Sequence, residues 1–476
     1  MPDESPELDV AKRAPPPAEL PRINAVDPLD ASFFASTNFE DTWHRKGVVF
    51  GILRSDRPRH VYVVGKSGMG KTKLLEHLIR ADIYYGYGVG VIDPHGDLHR
   101  AILDFVPPER VEDVIVIDPA DDRCPVAFNP FRGVQSEYRH LVTDGLIEIF
   151  RKRFGATWTA RVEHVFRFAC YAMIDYPHGT FDGMLQLLTD RRYRQGVTDA
   201  MTDEVVQRFW AIEFAGWSER FESEAIVPLV NILSQFLSNP RIRAIFGQEE
   251  NRVDFARVLD DGKILLVSLA KGMLGEDNAG LFGAIIVTKI AQVAMERARV
   301  AEGERTPFYL YVDEFQNVAT ETFANLFAES RKFGICMTVA NQYLAQLPDR
   351  LRTTILGNAG TLVTFRLGAE DAAVLEHEFA PVFTAKNLIN LSTQEIYVKM
   401  PIHGKISDPF SAETIAVRPP KHEQSSQRIL EHSCAMYGVR KPSAPPSTNI
   451  APSAPPPVPP SPAPPSSQEF PPPIVE

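Results

Sequence analysis

The stretch VYVVGKSGMGKTKLLEHLI, residues 61–79, decides the fold. Four β-prone residues, 61–64, run into Gly65, Lys66, Ser67, Gly68, Met69, Gly70, Lys71 and Thr72, and a helical pattern follows. The eight residues fit G-x-x-x-x-G-K-[ST]. Glycines let the backbone curl until several N–H groups converge on one phosphate, and the helix N-terminus behind them adds a favourable dipole. In that arrangement Lys71 reaches the β- and γ-phosphates and Thr72 offers its hydroxyl to Mg²⁺. A strand before and a helix after are what the motif requires. The segment is therefore read as a nucleoside triphosphate site rather than a glycine turn.

Such a loop needs a partner acid, and PFYLYVDEFQN, residues 307–317, supplies one. Its apolar run leads straight into Asp313 and Glu314, which places both at the C-terminal end of a buried strand, where α/β sheets bind ligands. Asp313 is expected to hold Mg²⁺, directly or through water, and Glu314 to polarise the attacking water as general base. The bland alternative is an acid pair capping the next helix. Gln342 closes the strand ICMTVANQ, where an amide can orient the water or sense the γ-phosphate, or simply start a helix. In VIDPHGD, residues 91–97, Asp93 and Asp97 are candidates for the same crevice, with a capping role for Asp93 equally open. His95 stands alone there; a turn or capping role outranks metal ligation.

Outward from these motifs, short apolar runs read as buried parallel strands: HVYVVG, GVGVID, DVIVID, KILLVSLA, FYLYVDE, ICMTVAN and TLVTFRL. Helical stretches such as KTKLLEHLIRADI separate several of them, which is an α/β signature. The expected fold is a P-loop, RecA-like core with a mostly parallel sheet, over residues 26–133 and 248–420. Between its third and fourth strands, residues 134–247 carry helical spacing and no convincing strand, and read as an all-α insertion. Residues 1–25 read as a loose tail and 421–440 as a C-terminal extension. Residues 441–476, KPSAPPSTNIAPSAPPPVPPSPAPPSSQEFPPPIVE, cannot bury a core and read as a disordered, polyproline-II-rich tail, a groove ligand or a plain spacer.

The 476 residues suffice for two or three domains, and the 44% apolar fraction is that of a globular chain. LFGAIIVTKIAQVAM, residues 281–295, is too short and carries Lys289, so it reads as a buried helix rather than a membrane span. With no apolar signal core at the N-terminus, the expectation is a soluble, cytoplasmic protein. Cys124, Cys170, Cys336 and Cys434 lack paired metal spacing, and four scattered thiols point to a reducing compartment without disulfides or zinc. A net charge of −11 weighs against a surface that coats nucleic acid everywhere but leaves room for a local basic channel.

Together HVYVVGKSGMGKTKLLEHLI, VIDPHGDL, YLYVDEFQN and ESRKFGICMTVANQYLAQL resemble the HerA–FtsK class of ring-forming ATPases, in the family's order and over residues 45–420. The likeness is nearest to the DNA-binding ATPases of type IV secretion, the conjugative coupling proteins of the TraD/TraG kind. That resemblance implies ATP and Mg²⁺ as ligands, and a homohexameric ring that pumps DNA through a central pore. It implies that Arg331 is an arginine finger reaching the neighbouring subunit's γ-phosphate, that Gln342 is the glutamine sensor, and that the helical insertion caps the ring. On sequence alone Arg331 is equally an arginine placed near a helix C-terminus, where the dipole favours cations. Coupling proteins often begin with membrane-spanning helices; the absence of such a run here leads to the expectation of a motor without its own anchor.

Basic clusters at Arg151, Lys152 and Arg153, at Arg191, Arg192 and Arg194, and at Arg350 and Arg352 fit either phosphate tracking or ordinary solvated helix faces. Phe154 and Trp158 fit either base stacking or packing. Beside the DNA-translocating motor stands a second reading, an NTP-gated receptor whose insertion and proline tail recruit protein cargo.

Overall fold

The computed structural model describes residues 11–418 and 425–439. All seven apolar runs form strands: β3 (Val61–Val64), β4 (Gly88–Asp93), β5 (Val114–Ile117), β6 (Ile264–Ser268), β7 (Phe308–Val312), β8 (Ile335–Asn341) and β9 (Thr361–Thr364). They pair in parallel in the order β9-β3-β8-β7-β4-β6-β5, in registers such as Val63↔Ala340 and Ile92↔Val312. Every residue of these strands is buried. The two faces have separate cores. Val61 and Val63 face one with Val89, Val91 and Tyr311, and Tyr62 and Val64 face the other with Ile92, Leu310 and Val312. Apolar cover on both sides explains why these strands read as unbroken apolar runs instead of alternating ones.

Helices α1 (Lys71–Tyr84) and α2 (Asp97–Leu103) cover the first face. Against the second lie α3 (Arg139–Phe154), α4 (Glu276–Glu296) and α5 (Glu321–Glu329). The apolar run around Lys289 is the interior of α4. Helix 276–299 is long and apolar enough to cross a membrane, but its apolar stretch is mostly buried inside the protein. Lys289 is sheltered there by donating to the carbonyls of Arg132 and Gly133 and to Gln292, and burial pushes its ammonium down to about 8.

Residues 134–247 hold helices and, among the described residues, no strand. Side chains start several of these helices: Thr159, Thr180, Asp190, Asp203 and Asn239 each accept a backbone N–H of the first turn. The region does not build a core of its own. Phe150, Phe166 and Phe236 join the same apolar cluster as the sheet, and α3 lies on α4 so closely that a Cβ on Gly145 would come within 2.8 Å of Thr288.

Three features differ from the sequence reading. The sheet has eleven strands: beyond β9 it continues antiparallel through β10 (Glu395–Lys399), β11 (Phe410–Thr414), β1 (Ala31–Thr37) and β2 (Val49–Leu53). Residues 11–25 are not a loose tail. Ala14 donates to Ser411 Oγ and accepts from its N–H, Tyr397 donates to the Lys12 carbonyl, and Arg22 bridges to Phe50. Finally, Cys124 and Cys434 form a disulfide across 310 positions, while Cys170 and Cys336 are free and buried. The expectation of four free thiols fails because that separation carries no spacing signal. The two meet because α6 (Ser425–Tyr437) lies along β5, where Ser433 accepts from Val116 N–H. Residues 1–10 and 441–476, including the proline-rich segment, lie outside the described residues.

Candidate functional site

The phosphate loop leaves β3 and enters α1. Gly65 (φ 154°) needs to be glycine because a Cβ would stand 2.6 Å from that of Phe365, which follows β9. Gly70 (φ 116°) is the left-handed residue that turns the loop into the helix. Lys66 N–H donates to the Arg366 carbonyl, tying the loop to the next strand. Lys71 is buried, and its Nζ donates to the carbonyls of Gly65 (2.5 Å) and Lys66 (3.0 Å). Burial lowers the pKa of that ammonium, against the charges of Asp313 and Glu314, which raise it. Ser67 and Gly68 are exposed at the loop tip, while Met69 is buried beneath it.

Two segments 241 positions apart meet here: Thr72 Oγ1 donates to Asp313 Oδ2 at 2.9 Å. The parallel crossover explains this. β3 and β7 flank β8, and all three point their C-terminal ends to the same edge. Burial pushes the Asp313 carboxyl above the usual range, opposed by the Thr72 hydroxyl and reinforced by the charge of Asp93. A hydroxyl and a carboxylate side by side behind a phosphate loop suit a hard divalent cation that completes its shell with phosphate and water. No group of three His, Cys, Asp or Glu side chains able to hold a metal unaided exists among the described residues.

Glu314 departs from strand geometry at φ 42°, ψ 51°, the left-handed region. Such a backbone costs on the order of 1–3 kcal/mol and concentrates at functional sites. Its carboxylate is held from three sides. Gln342 Nε2 donates to Oε1 at 2.6 Å, His95 Nε2 lies 3.0 Å from Oε2, and Asn317 Nδ2 reaches Oε2 at 3.4 Å and the backbone carbonyl at 2.8 Å. Burial pushes this carboxylate up, but the Gln342 bond, the His95 charge and bond, and Asn317 outweigh it and leave it below the ordinary glutamate range. Gln342 is therefore bound to the acid rather than starting a helix; the following 3-10 turn is capped by Tyr343. Asn317 was not singled out by sequence, though its place three residues after Glu314 matches the 3-10 turn (Phe315–Val318) that presents it.

Asp93 resolves to a turn-former. Oδ1 accepts from His95 N–H and Oδ2 from His99 N–H, closing the entry to α2. Asp97 is an exposed first-turn acid of α2. Arg331 lies elsewhere. It sits in the turn Ser330–Phe333 before β8, near His60 at the start of β3, whereas the phosphate loop and Gln342 follow the C-terminal ends of those strands. The seven residues of β8 separate the two ends by about 23 Å.

Most of the arginine clusters are engaged within the chain. Arg151 pairs with Glu163, Lys152 donates to the Ala319 carbonyl, Arg153 pairs with Asp277, Arg350 with Glu321 and Arg352 with Asp349. Arg194 bonds the carbonyls of Leu187 and Leu188. Arg191 and Arg192 are exposed. Trp158 packs on Phe166 and donates to Glu163, and Phe154 packs on Phe150, so both aromatics are part of the fold.

A family model described as the type IV secretion-system coupling protein DNA-binding domain matches residues 49–380. The chain belongs to this family. Among solved structures, the unbound bacterial conjugative coupling protein TrwBdeltaN70 superposes with a TM-score of 0.59 at 15% identity, covering 79% of this chain and 89% of that one. The plasmid coupling protein TrwB in complex with ADP and Mg²⁺ gives 0.57 at 15%, over 79% and 89%. VirB4 of Thermoanaerobacter pseudethanolicus gives 0.50 at 14%, over 80% and 93%. At such identities the likeness to these structures is one of fold. No curated protein sequence matches the chain. The matched span contains residues 65–72, 313–314 and 342, which follow the C-terminal ends of β3, β7 and β8 on the sheet edge where α/β folds bind ligands; Arg331 lies at the other end of β8.

Proposed function

We propose that this coupling-protein chain is a Mg²⁺-dependent ATPase that moves DNA as a ring of identical subunits. The observation that carries the chemistry is the Thr72–Asp313 contact, which joins the phosphate loop to the acid pair. Lys71 would hold the β- and γ-phosphates, a second contact displacing one of its loop carbonyls, with N–H groups of the glycine-rich loop around them. Magnesium would rest on Thr72 and Asp313 and supply charge neutralisation to the transferred phosphoryl group. Glu314 takes the proton of the attacking water, and Gln342, hydrogen-bonded to it, is placed to orient that water.

Arg331 supports assembly. It lies at the other end of β8 from the phosphate loop, about 23 Å along the strand, so the finger role that the family resemblance implies would have to be played on a second copy's γ-phosphate. DNA as the cargo rests on the family and, within the chain, on the exposed Arg191 and Arg192 more than on the cluster at 151–153, where Arg151 and Arg153 pair with acids and Lys152 donates to a carbonyl.

The test is the ATPase rate of the purified protein without polymer, with single-stranded DNA and with duplex DNA, at low and high salt. Stimulation by DNA that fades as salt rises is expected. Indifference to DNA together with stimulation by a protein substrate would replace the motor with a nucleotide-gated receptor.

A further inference from the structure

The VIDPHGD turn is left unexplained by phosphate chemistry. Asp93 carries out the capping there, no three-ligand metal group exists among the described residues, and the His95 ring is 53% exposed, yet it is aimed at one target. We infer that His95 is a positioning residue that fixes the carboxylate of Glu314, which makes the β4–α2 turn part of the hydrolytic apparatus. The inference rests on the reading of Glu314 as general base.

Four observations carry it. Glu314 leaves β7 with a left-handed backbone, so its long side chain starts in a direction the strand does not control. Its two oxygens are held on separate sides, Oε1 by Gln342 and Oε2 by His95 and Asn317, which together set the plane of the carboxylate. An ionised carboxylate only accepts, so His95 presents Nε2–H toward it. Lastly, the backbone that bears the ring is anchored. Asp93 takes the His95 and His99 N–H groups on its two oxygens, and Gly96 at φ 87° closes the turn. Because β4 and β7 are adjacent, in the register Ile92↔Val312, the turn that Asp93 closes sets the His95 side chain within one strand spacing of Glu314.

A base misplaced by about an ångström loses on the order of a hundredfold, and outer-shell partners are commonly worth ten- to a hundredfold. In steady-state Mg·ATP hydrolysis by the full chain, His95→Ala should lower kcat about tenfold or more. KM and the affinity for a non-hydrolysable ATP analogue should stay unchanged. His95→Gln, whose amide N–H can take the place of Nε2–H, should recover most of the rate. In a Glu314→Gln background, His95→Ala should cost nothing further. Wild-type kcat in His95→Ala beside a dead Glu314→Gln overturns the positioning role and leaves the base in place. Undiminished turnover in Glu314→Gln removes the base reading itself. A kcat loss that His95→Gln fails to recover, or one accompanied by weaker analogue binding, marks a structural residue and also overturns the inference.

Discussion

Replacing Lys71 with alanine tests the phosphate site at its centre, and the structure sets the size of the effect. An ammonium has three protons to donate. Two are taken by the carbonyls of Gly65 and Lys66, and the third is free. A phosphate oxygen can accept that third proton without breaking anything, whereas a second phosphate contact must displace a carbonyl of similar worth. The minimum loss in Lys71→Ala is therefore one uncompensated charged hydrogen bond, about 1.5–3 kcal/mol, or a rise in Kd of about ten- to 150-fold. Hydrolysis should fall further, because charge builds on the phosphoryl oxygens in the transition state. Titration with a fluorescent ADP analogue in Mg²⁺ reads the binding loss, and phosphate release reads the rate. A thermal melt in parallel reports whether the two stranded carbonyls have disturbed the loop. A Kd within twofold of wild type in a normally folded Lys71→Ala protein would refute the reasoning, since it would mean that the ammonium serves the loop alone.

Other perturbations separate the remaining parts. Asp313→Asn keeps an acceptor for Thr72 but removes the charge; nucleotide binding in EDTA should be unchanged and the tightening by Mg²⁺ should be lost, both readable by the same titration. Arg331→Ala should be inactive yet bind nucleotide normally. Mixed with an excess of inactive Lys71→Ala subunits, it should regain measurable turnover, because each defect then falls in a different copy; equal inactivity at every mixing ratio would argue against a shared site. His60 is buried and accepts from Met337 N–H, and desolvation holds its pKa down to about 4 against an ordinary 6.5. Its folded pKa is the lower one, so its contribution is complete above about pH 6.5 and is lost as pH falls toward 4, by roughly 3 kcal/mol in total. Urea midpoints between pH 7 and 4 should therefore fall less steeply in His60→Asn, which removes the titrating group.

The parallel half of the sheet was legible because each strand is covered on both faces and reads as a pure apolar run, as with VIVI at Val114–Ile117. Asp313 and Glu314 were legible for the same reason: a polar pair directly after such a run must stand at the strand's end. The antiparallel half was not, because strands such as ASFFAST at Ala31–Thr37 mix serine and threonine with apolar residues, and the pairing of β1 with β11 that joins this half together lies hundreds of positions apart in the chain. Ser32 illustrates this: a buried hydroxyl there has its place because the guanidinium of Arg57 donates to it. Side-chain partnerships across the fold were equally hidden. Nothing in RKRF at 151–154 tells that Lys152 serves the carbonyl of Ala319, and nothing in DPHGD tells that His95 faces an acid 219 positions on. Motifs reveal chemistry that is local in sequence, whereas the contacts that tune it come from the crossovers.

The bond between Cys124 and Cys434 has a mechanical consequence. It closes the polypeptide into a macrocycle that contains the helical insertion, the acid pair and Gln342. A single protease cut anywhere inside that ring leaves one covalent particle, which would run as two fragments only after treatment with thiol. Tension applied to the chain beyond residue 434 would pass directly into the segment that follows β5, bypassing α6 and the strands that carry Asp313 and Gln342.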